Sequence, residues 1–175
     1  YAHGLLGQWD EVEILLDKIN WEQLSGEVLG QYWLLHGDVA DNNNDEHLAI
    51  TYYREALNWD NGNLALWNKL INSAETVGDT ELGTLAWHRY LELDEFNATR
   101  QAEFAYYLRR IGKNEEALLH FNNALNILPE NYSLYRDLGY TELSLQNYSA
   151  ATQHFRDVID LTSTNITENL QLYQD

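Results

Sequence analysis

The feature that most constrains this chain is a period of 34 residues. Shifting the 175-residue sequence against itself by 34 positions aligns a column of aromatic residues, a column of small ones and a column of aliphatic ones. These columns are Tyr53, Trp87, Phe121 and Phe155; Ala49, Gly83, Ala117 and Ala151; and Leu57, Leu91, Leu125 and Ile159. Such agreement predicts repeated supersecondary units, which must stack because one unit cannot bury its apolar side alone.

Within each unit the apolar spacing is helical. In residues 98–131, Phe104 and Leu108 share one helix side, and Gly112 then interrupts the run. A second helix follows, with Phe121 among apolar residues spaced by three or four positions. Pro129, the only proline, comes just after this helix. Each unit is therefore predicted to be two antiparallel helices joined by short loops.

Two further columns predict details of packing and turns. Small residues in the first helices, such as Gly37, Ala105 and Gly139, are expected where helix axes approach closely. A recurring asparagine at the end of each unit is expected in a turn, since asparagine tolerates a left-handed backbone. The members of this second column are Asn63, Asn97, Asn131 and Asn165.

The unit that runs from Phe104-Ala105 through Leu108, Gly112, Ala117, Phe121 and Ala124 to Pro129 resembles a tetratricopeptide repeat, or TPR. This resemblance implies an all-α fold, a right-handed α-α superhelix (TPR solenoid) of antiparallel helix hairpins. It extends over residues 1–175 as a single array. The predicted divisions are a partial, irregular repeat at 1–29, full repeats at 30–63, 64–97, 98–131 and 132–165, and the start of a further helix at 166–175.

Three segments depart from the TPR pattern. Segment 20–29 is longer than a standard turn between repeats, so irregular packing is expected there. The stretch Asp41 to Asp45 replaces the usual glycine turn and predicts a frayed helix end. Glu142 stands where an apolar residue is expected, so it must reach solvent, find a partner or face a ligand.

Composition excludes several classes of function. The formal net charge is −18, with 10 basic and 28 acidic residues, which argues against nucleic-acid binding and against docking on anionic lipid. No apolar run approaches the roughly 20 residues that a membrane helix needs, so no direct membrane insertion is expected. The chain has no cysteine, which excludes disulfides, thiolate metal sites and cysteine nucleophiles.

No catalytic signature or metal site stands out, and no enzyme activity, cofactor or metal is predicted. The spacing of Asp41, Asn43 and Asp45 matches the opening of a calcium loop, but Glu46 stands where such a loop needs glycine. We interpret this stretch as a polar surface turn. His120 and His154 lie one repeat apart, which is too far for a shared metal. Four glycosylation sequons begin at Asn97, Asn131, Asn147 and Asn165, and turn chemistry already accounts for three of them.

The TPR resemblance implies a concave groove lined by first helices, where ligands bind. The ligand-binding set is Asn68, Asn72, Tyr106, Arg109, Arg110, Arg136 and Tyr140, with neighbours Gln31, Leu34, Asp38, Ala65, Glu75, Thr99, Ala102 and Ser133. Tyrosines and arginines together offer stacking surfaces and bidentate donors, so Arg109, Arg110 and Arg136 are predicted to contact the ligand. The lysines of the carboxylate clamp found in chaperone-binding TPR domains are absent beside Asn72, so chaperone-tail binding is not predicted.

Charge along the repeats points to the same stretch. Residues 1–63 hold 12 acidic and 2 basic residues, whereas residues 98–131 hold four of each. A protein or peptide partner, acidic in character, or an anionic polysaccharide would suit the basic stretch near Arg109. Two functions remain open: a non-catalytic scaffold that binds a protein partner, and a periplasmic TPR segment of an outer-membrane polysaccharide-export or phage-receptor protein. The chain starts at Tyr1, and we expect it to be a piece of a longer or processed protein, either periplasmic or cytoplasmic.

Overall fold

The computed structural model describes residues 8–172, with side chains described as far as residue 163. Within these residues there are nine α-helices, one short 3₁₀ turn (Trp21–Gln23) and no strand, which confirms the all-α prediction. The helices are α1 (Trp9–Leu16), α2 (Gly26–Asn42), α3 (Glu46–Leu57), α4 (Leu64–Val77), α5 (Thr80–Leu93), α6 (Ala98–Arg110), α7 (Asn114–Ile127), α8 (Tyr132–Ser144) and α9 (Tyr148–Leu172).

The chain forms two compact units, Tyr1–Asp94 and Glu95–Asp175. In the first unit, α1 packs on α2, α2 on α3, α3 on α4 and α4 on α5. In the second unit, α6 packs on α7, α7 on α8 and α8 on α9. Each unit is thus a run of helices in which every described helix packs on the next one along the chain, as stacked hairpins require.

A left-handed residue closes the turn inside each hairpin. Asn44, Gly78, Gly112 and Gln146 have φ angles of 59°, 77°, 81° and 62°, and they follow one another at the 34-residue period. Helix α2 continues to Asn42, and Asn44 then takes the conformation that glycine adopts in the next two turns. The turn therefore forms without glycine, because asparagine can adopt this conformation; fraying of the helix end stays a prediction.

The recurring asparagines lie between hairpins, as predicted, but for a different reason. Asn63, Asn97 and Asn131 have negative φ angles, and each side chain accepts a hydrogen bond from a backbone N–H in the first turn of the following helix. Their role is N-capping, which satisfies backbone donors that have no partner within the helix. Residue 165 lies inside α9, so the fourth member of the column is not at the start of a helix.

Small residues permit close approach between the helices of a hairpin, as predicted. A Cβ atom added to Gly37 would overlap the ring of Tyr53, whose side chain is completely buried. A Cβ atom added to Gly139 would lie 2.6 Å from Cε1 of Phe155. These two pairs occupy the same columns of the repeat, so both units pack an aromatic ring directly on a first-helix glycine.

The remaining departures have local explanations. The half-buried Glu142 carboxylate accepts a hydrogen bond of 2.7 Å from Asn147 Nδ2, so this acid has a partner in the turn that follows. Helix α9 continues without a break to Leu172, whereas the sequence predicts a further helix from residue 166. At the other end, α1 contributes Val12 and Leu16 to a core with Leu29 and Tyr32, while residues 1–7 lie outside the described residues.

Candidate functional site

The second unit carries five of the seven residues predicted to bind a ligand. Tyr106, Arg109 and Arg110 lie in the last turns of α6, and Arg136 and Tyr140 lie on α8. The spacing of three residues puts Tyr106 and Arg109 on one side of α6. The two tyrosines occupy the same column, and their side chains are 43% and 50% exposed. Both therefore combine a fixed backbone position with an accessible ring.

A buried carboxylate joins α6 to α8 beside these residues. Asp137 is only 5% exposed, and the hydroxyl of Tyr106 donates a hydrogen bond to its Oδ2. Nη2 of Arg136 lies 3.4 Å from the other carboxylate oxygen. A buried carboxylate needs such donors, because leaving it without partners would cost several kcal/mol. The contact therefore fixes the tyrosine hydroxyl and leaves part of its ring at the surface.

This environment raises the pKa of the Tyr106 hydroxyl to about 12. Partial burial is the largest cause, followed by the hydrogen bond to Asp137 and the charge of its carboxylate. The positive charges of Arg136 and Arg109 act in the opposite direction. Tyr106 is therefore a neutral donor at pH 7, with two guanidinium groups close enough to influence its ionisation.

The arginines of α6 diverge. The guanidinium carbon of Arg109 lies 6.0 Å from the centre of the buried Phe121 ring, which Tyr106 also contacts edge-to-face. The guanidinium carbon of Arg110 lies 5.4 Å from the centre of the Tyr107 ring instead. We therefore restrict the name tyrosine–arginine patch to Tyr106, Arg109, Arg136 and Tyr140, on α6 and α8.

Tyr140 repeats the packing of Tyr106 one hairpin later. Its ring meets Phe155 edge-to-face, with 5.4 Å between ring centres, as the Tyr106 ring meets Phe121 at 5.1 Å. Edge-to-face packing holds each ring at a defined angle. The two rings are consequently rigid, amphipathic contact surfaces rather than freely rotating side chains.

The first unit carries the other two predicted ligand-binding residues, Asn68 and Asn72, both on α4. Asn72 is exposed and Asn68 is half-buried. Near them, Lys69 Nζ lies 2.8 Å from Asp38 Oδ1, which also accepts a hydrogen bond of 3.1 Å from the hydroxyl of Tyr53. Asp38 is thus held by two donors and is paired with a lysine charge.

Sequence reasoning missed the two residues that link successive first helices, Lys69 and Asp137. A signal was present, since the pairs Asp38–Lys69 and Tyr106–Asp137 are both 31 residues apart and occupy the same two columns. The two pairs do not share residue types, however: the earlier position is aspartate in one pair and tyrosine in the other, and the later position is lysine in one and aspartate in the other. A search for conserved chemical type along the period cannot find a contact that each repeat makes with different chemistry.

Two polar groups singled out in the sequence have structural partners. His120 is buried, and its Nδ1 lies 2.8 Å from Oε1 of Gln101, so this histidine belongs to the core of the second unit. Asp45, in the stretch that resembles a calcium loop, accepts a hydrogen bond of 3.1 Å from the backbone N–H of Leu48 and caps α3. Turn and core chemistry account for both groups. Within the residues described, no helix is both long and apolar enough to span a bilayer.

Comparison with known proteins agrees with this architecture. Residues 30–63 match the family model described as tetratricopeptide repeat, and the chain has the all-α fold of a TPR helical solenoid. The class of the fold is thereby confirmed.

Solved structures of MamA proteins are similar in fold. A MamA structure from AMB-1 is 16% identical, with 93% of this chain and 87% of that chain covered and a TM-score of 0.68. A MamA structure from MSR-1 is 16% identical, with coverages of 94% and 92% and a TM-score of 0.65. MamA from Desulfovibrio magneticus RS-1 is 14% identical, with coverages of 77% and 76% and a TM-score of 0.59. No curated protein matches the chain.

Proposed function

We propose that this chain is a non-catalytic TPR scaffold that binds an extended acidic segment of a protein partner through the tyrosine–arginine patch. The observation that carries the proposal is the charge balance around Asp137. Two guanidinium groups, those of Arg109 and Arg136, influence Tyr106, and one carboxylate lies among them. One positive charge is therefore not balanced within this set, in a chain whose net charge is −18.

The arrangement suits a peptide because it offers two kinds of contact at fixed positions. The exposed rings of Tyr106 and Tyr140 provide flat apolar area at little entropic cost. Arginine provides paired donors for a carboxylate and keeps its charge at every physiological pH. TPR proteins commonly bind partner segments along their first helices, and the patch lies on two successive first helices of the second unit.

The same tyrosines and arginines would also suit the alternative function, an exported TPR segment that contacts an anionic polysaccharide. Tyrosine rings also stack on sugar faces, and arginine binds sugar carboxylates as well as peptide ones. Nothing in the patch separates these ligands by chemistry alone. The experiment must therefore offer both ligands to the same protein.

The test is selection of peptides from a random phage-displayed library, in parallel with an array of neutral and anionic glycans. We expect acidic peptides to be enriched. Replacing both patch arginines with glutamate, in R109E/R136E, should lower the affinity for the selected peptide by about 100-fold, because two charge-assisted contacts become repulsive. Enrichment of glycans and of no peptide would favour the alternative function.

A matched control is available in the same unit. The variant K113E/R156E makes the same change in net charge on residues outside the patch, at the start of α7 and on α9. We expect it to bind within about twofold of the unaltered chain, because charges screened over about 10 Å contribute little. The single variant R110E tests separately whether Arg110, which lies over Tyr107, contributes to peptide binding. Equal losses in the patch variant and the matched control would overturn the proposal.

A further inference from the structure

The first unit contains a cavity whose lining residues are outside the predicted ligand-binding set. Helices α3 and α5 both pack on α4. Between them is an open cavity of about 820 Å³, whose lining comes from α3, the loop before α4, α4 and α5. Cavities of this size accommodate small ligands or several residues of a peptide. None of its lining residues belongs to the tyrosine–arginine patch.

The lining of this cavity is partly apolar and held in place. Leu57 and Leu70 are buried and form its inner wall, whereas Leu85 and Leu93 are 51% and 47% exposed. The indole N–H of Trp67 donates a hydrogen bond of 2.8 Å to the backbone carbonyl of Asn61, which fixes this ring in the wall. A ligand that covered the exposed leucines would gain about 25 cal/mol for each Å² of apolar surface removed from water.

Two of the four basic residues of the first unit line the same cavity. Residues 1–94 contain 17 acidic and 4 basic residues, and both arginines among them, Arg54 and Arg89, line the cavity. Arg89 pairs with Glu92 on its own helix at 2.6 Å. Arg54, in contrast, forms no ion pair with any residue in the described part of the chain, so its guanidinium is available to a ligand.

We propose that this cavity is a second binding site, which takes an extended peptide segment with aliphatic side chains around a single carboxylate. The aliphatic groups cover Leu85 and Leu93, and the carboxylate pairs with Arg54. Polar lining residues such as Asn58 and Asn61 supply hydrogen-bonding groups for a peptide backbone. Glu55 and Glu92 also line the cavity, so a run of several acids would be repelled, which separates this ligand from the acidic segment proposed for the patch.

The experiment uses the full chain and two synthetic probes, N-acetyl-Leu-Glu-Leu-Leu-amide and its neutral Gln counterpart. Binding is followed by the indole N–H signal of Trp67 in ¹H–¹⁵N spectra, assigned by its loss in W67F. We expect the acidic probe to shift this signal and to bind about tenfold more tightly than the neutral probe, as one charge-assisted hydrogen bond implies. Equal affinities, or no shift of this signal at millimolar probe, would overturn the proposal.

Variants separate the site from the general charge of the protein. R54E should abolish the preference for the acidic probe, and R54Q should do so with a smaller change in charge. K18E makes the same change in charge elsewhere in the first unit and should leave the affinity unchanged within about twofold. R109E/R136E should also leave it unchanged, so failure at one site is distinguishable from failure at the other.

Two further outcomes would contradict the proposal. If K18E weakens the probe as much as R54E does, the effect is general electrostatics and not a site. If the Trp67 signal shifts with protein concentration in the absence of probe, the cavity is occupied by a second copy of the chain. Amide spectra of each variant report whether its fold is intact.

Discussion

The two units solve the same problem, the connection of successive first helices, with opposite chemistry. In the first unit the carboxylate lies on the earlier helix, at Asp38, and pairs with the lysine charge of Lys69 on α4. In the second unit the carboxylate lies on the later helix, at Asp137, and accepts a hydrogen bond from the neutral hydroxyl of Tyr106. Both pairs are 31 residues apart in the same two columns of the repeat.

This difference shows that the repeat can keep the same helix packing while the charge on its surface changes. The period determines which two positions meet, and the residues at those positions determine what charge remains. Lys69 neutralises Asp38, so that contact adds no net charge to the surface of the first unit. Asp137 accepts its hydrogen bond from the neutral Tyr106 and lies 3.4 Å from the guanidinium of Arg136. The second guanidinium that acts on Tyr106, that of Arg109, is therefore in excess over this one carboxylate.

The largest expected loss of stability comes from substituting the first-helix glycines on which the aromatic rings pack. We expect G37A to lower the free energy of unfolding of the first unit by about 2 kcal/mol, the net of overpacking and a gain in helix propensity. The hydroxyl of Tyr53 is bound to Asp38, so its ring cannot move away from a new methyl group. Hydrogen exchange of the amides in α2 and α3 measures the loss.

The equivalent variant in the second unit is its control. Phe155 is only half-buried and has no hydroxyl to anchor it, so its ring can shift away from a methyl group on residue 139. We expect G139A to lower the free energy of unfolding of the second unit by about 0.5 kcal/mol, measured by hydrogen exchange of the amides in α8 and α9. Equal costs would mean that the hydrogen bond to Asp38 does not restrain the ring.

The next effect concerns the donors to the two carboxylates. Y106F removes the hydroxyl that binds the buried Asp137, and we expect a loss of about 1.5 kcal/mol, within the range for a buried acceptor that loses its donor. K69M should cost about 0.5 kcal/mol, because the Lys69 ammonium is partly exposed and Asp38 keeps its bond from Tyr53. Hydrogen exchange of each unit measures both losses.

A larger loss in K69M than in Y106F would contradict this ranking. It would mean that the charge of the lysine matters more than the burial of the carboxylate. A useful companion is D137N, which keeps the shape of the side chain and removes its charge. If Y106F and D137N destabilise the second unit equally, and the double variant costs no more than either, the two groups act as a single contact.

Alkaline titration separates the two links in another way. The Tyr106 hydroxyl has a pKa of about 12, above the ordinary value of 10, so its proton is held more tightly in the folded chain. Its stabilising contribution is present below pH 10 and is lost as the pH rises through 12. Burial also raises the pKa of Tyr53, with the carboxylate of Asp38 adding to the effect.

Ultraviolet absorbance of tyrosinate is the measurement. We expect Tyr106 and Tyr53 to ionise late, because the folded chain raises the pKa of both hydroxyls. In Y106F the step near pH 12 should lose one tyrosine. A titration of Y106F with the same late step as the unaltered chain would show that Tyr106 is not the group held by Asp137.

The sequence predicts the helices and their packing order in this molecule better than its side-chain contacts. The period, the hairpins and the glycine–aromatic packing follow from residue types that recur, such as Gly37 and Gly139 under aromatic rings. The capping role of Asn97 was not predicted, because an asparagine in a turn suits both a left-handed backbone and an N-cap. The turn at Asn44 differed for a related reason, since asparagine there adopts the conformation of a glycine.

The candidate site divides in the same way. Tyr106 and Tyr140 are equivalent in sequence and equivalent in packing, so their exposure and edge-to-face contacts could be anticipated. Helix geometry alone makes Arg109 and Arg110 diverge, because adjacent helical residues differ in direction by about 100°. The aromatic ring that each guanidinium lies over, Phe121 for Arg109 and Tyr107 for Arg110, could not be anticipated. Asp137 was missed because its column holds a different residue type in each repeat.

The smallest expected effect concerns Asn68 and Asn72 of the first unit. These amides carry no charge, and the ion pair of Lys69 with Asp38 leaves no lysine charge beside them for an acidic ligand. We therefore expect N68A/N72A to bind the peptide selected on the unaltered chain with an affinity changed by less than about 0.5 kcal/mol, or roughly twofold. Isothermal titration calorimetry, with R109E/R136E as the variant that loses binding, measures the difference.

A loss in N68A/N72A as large as that in the arginine variant would mean that the first unit also binds the peptide. The contrast between a charge-balanced link and a link that leaves arginine in excess would then not decide where an acidic partner binds.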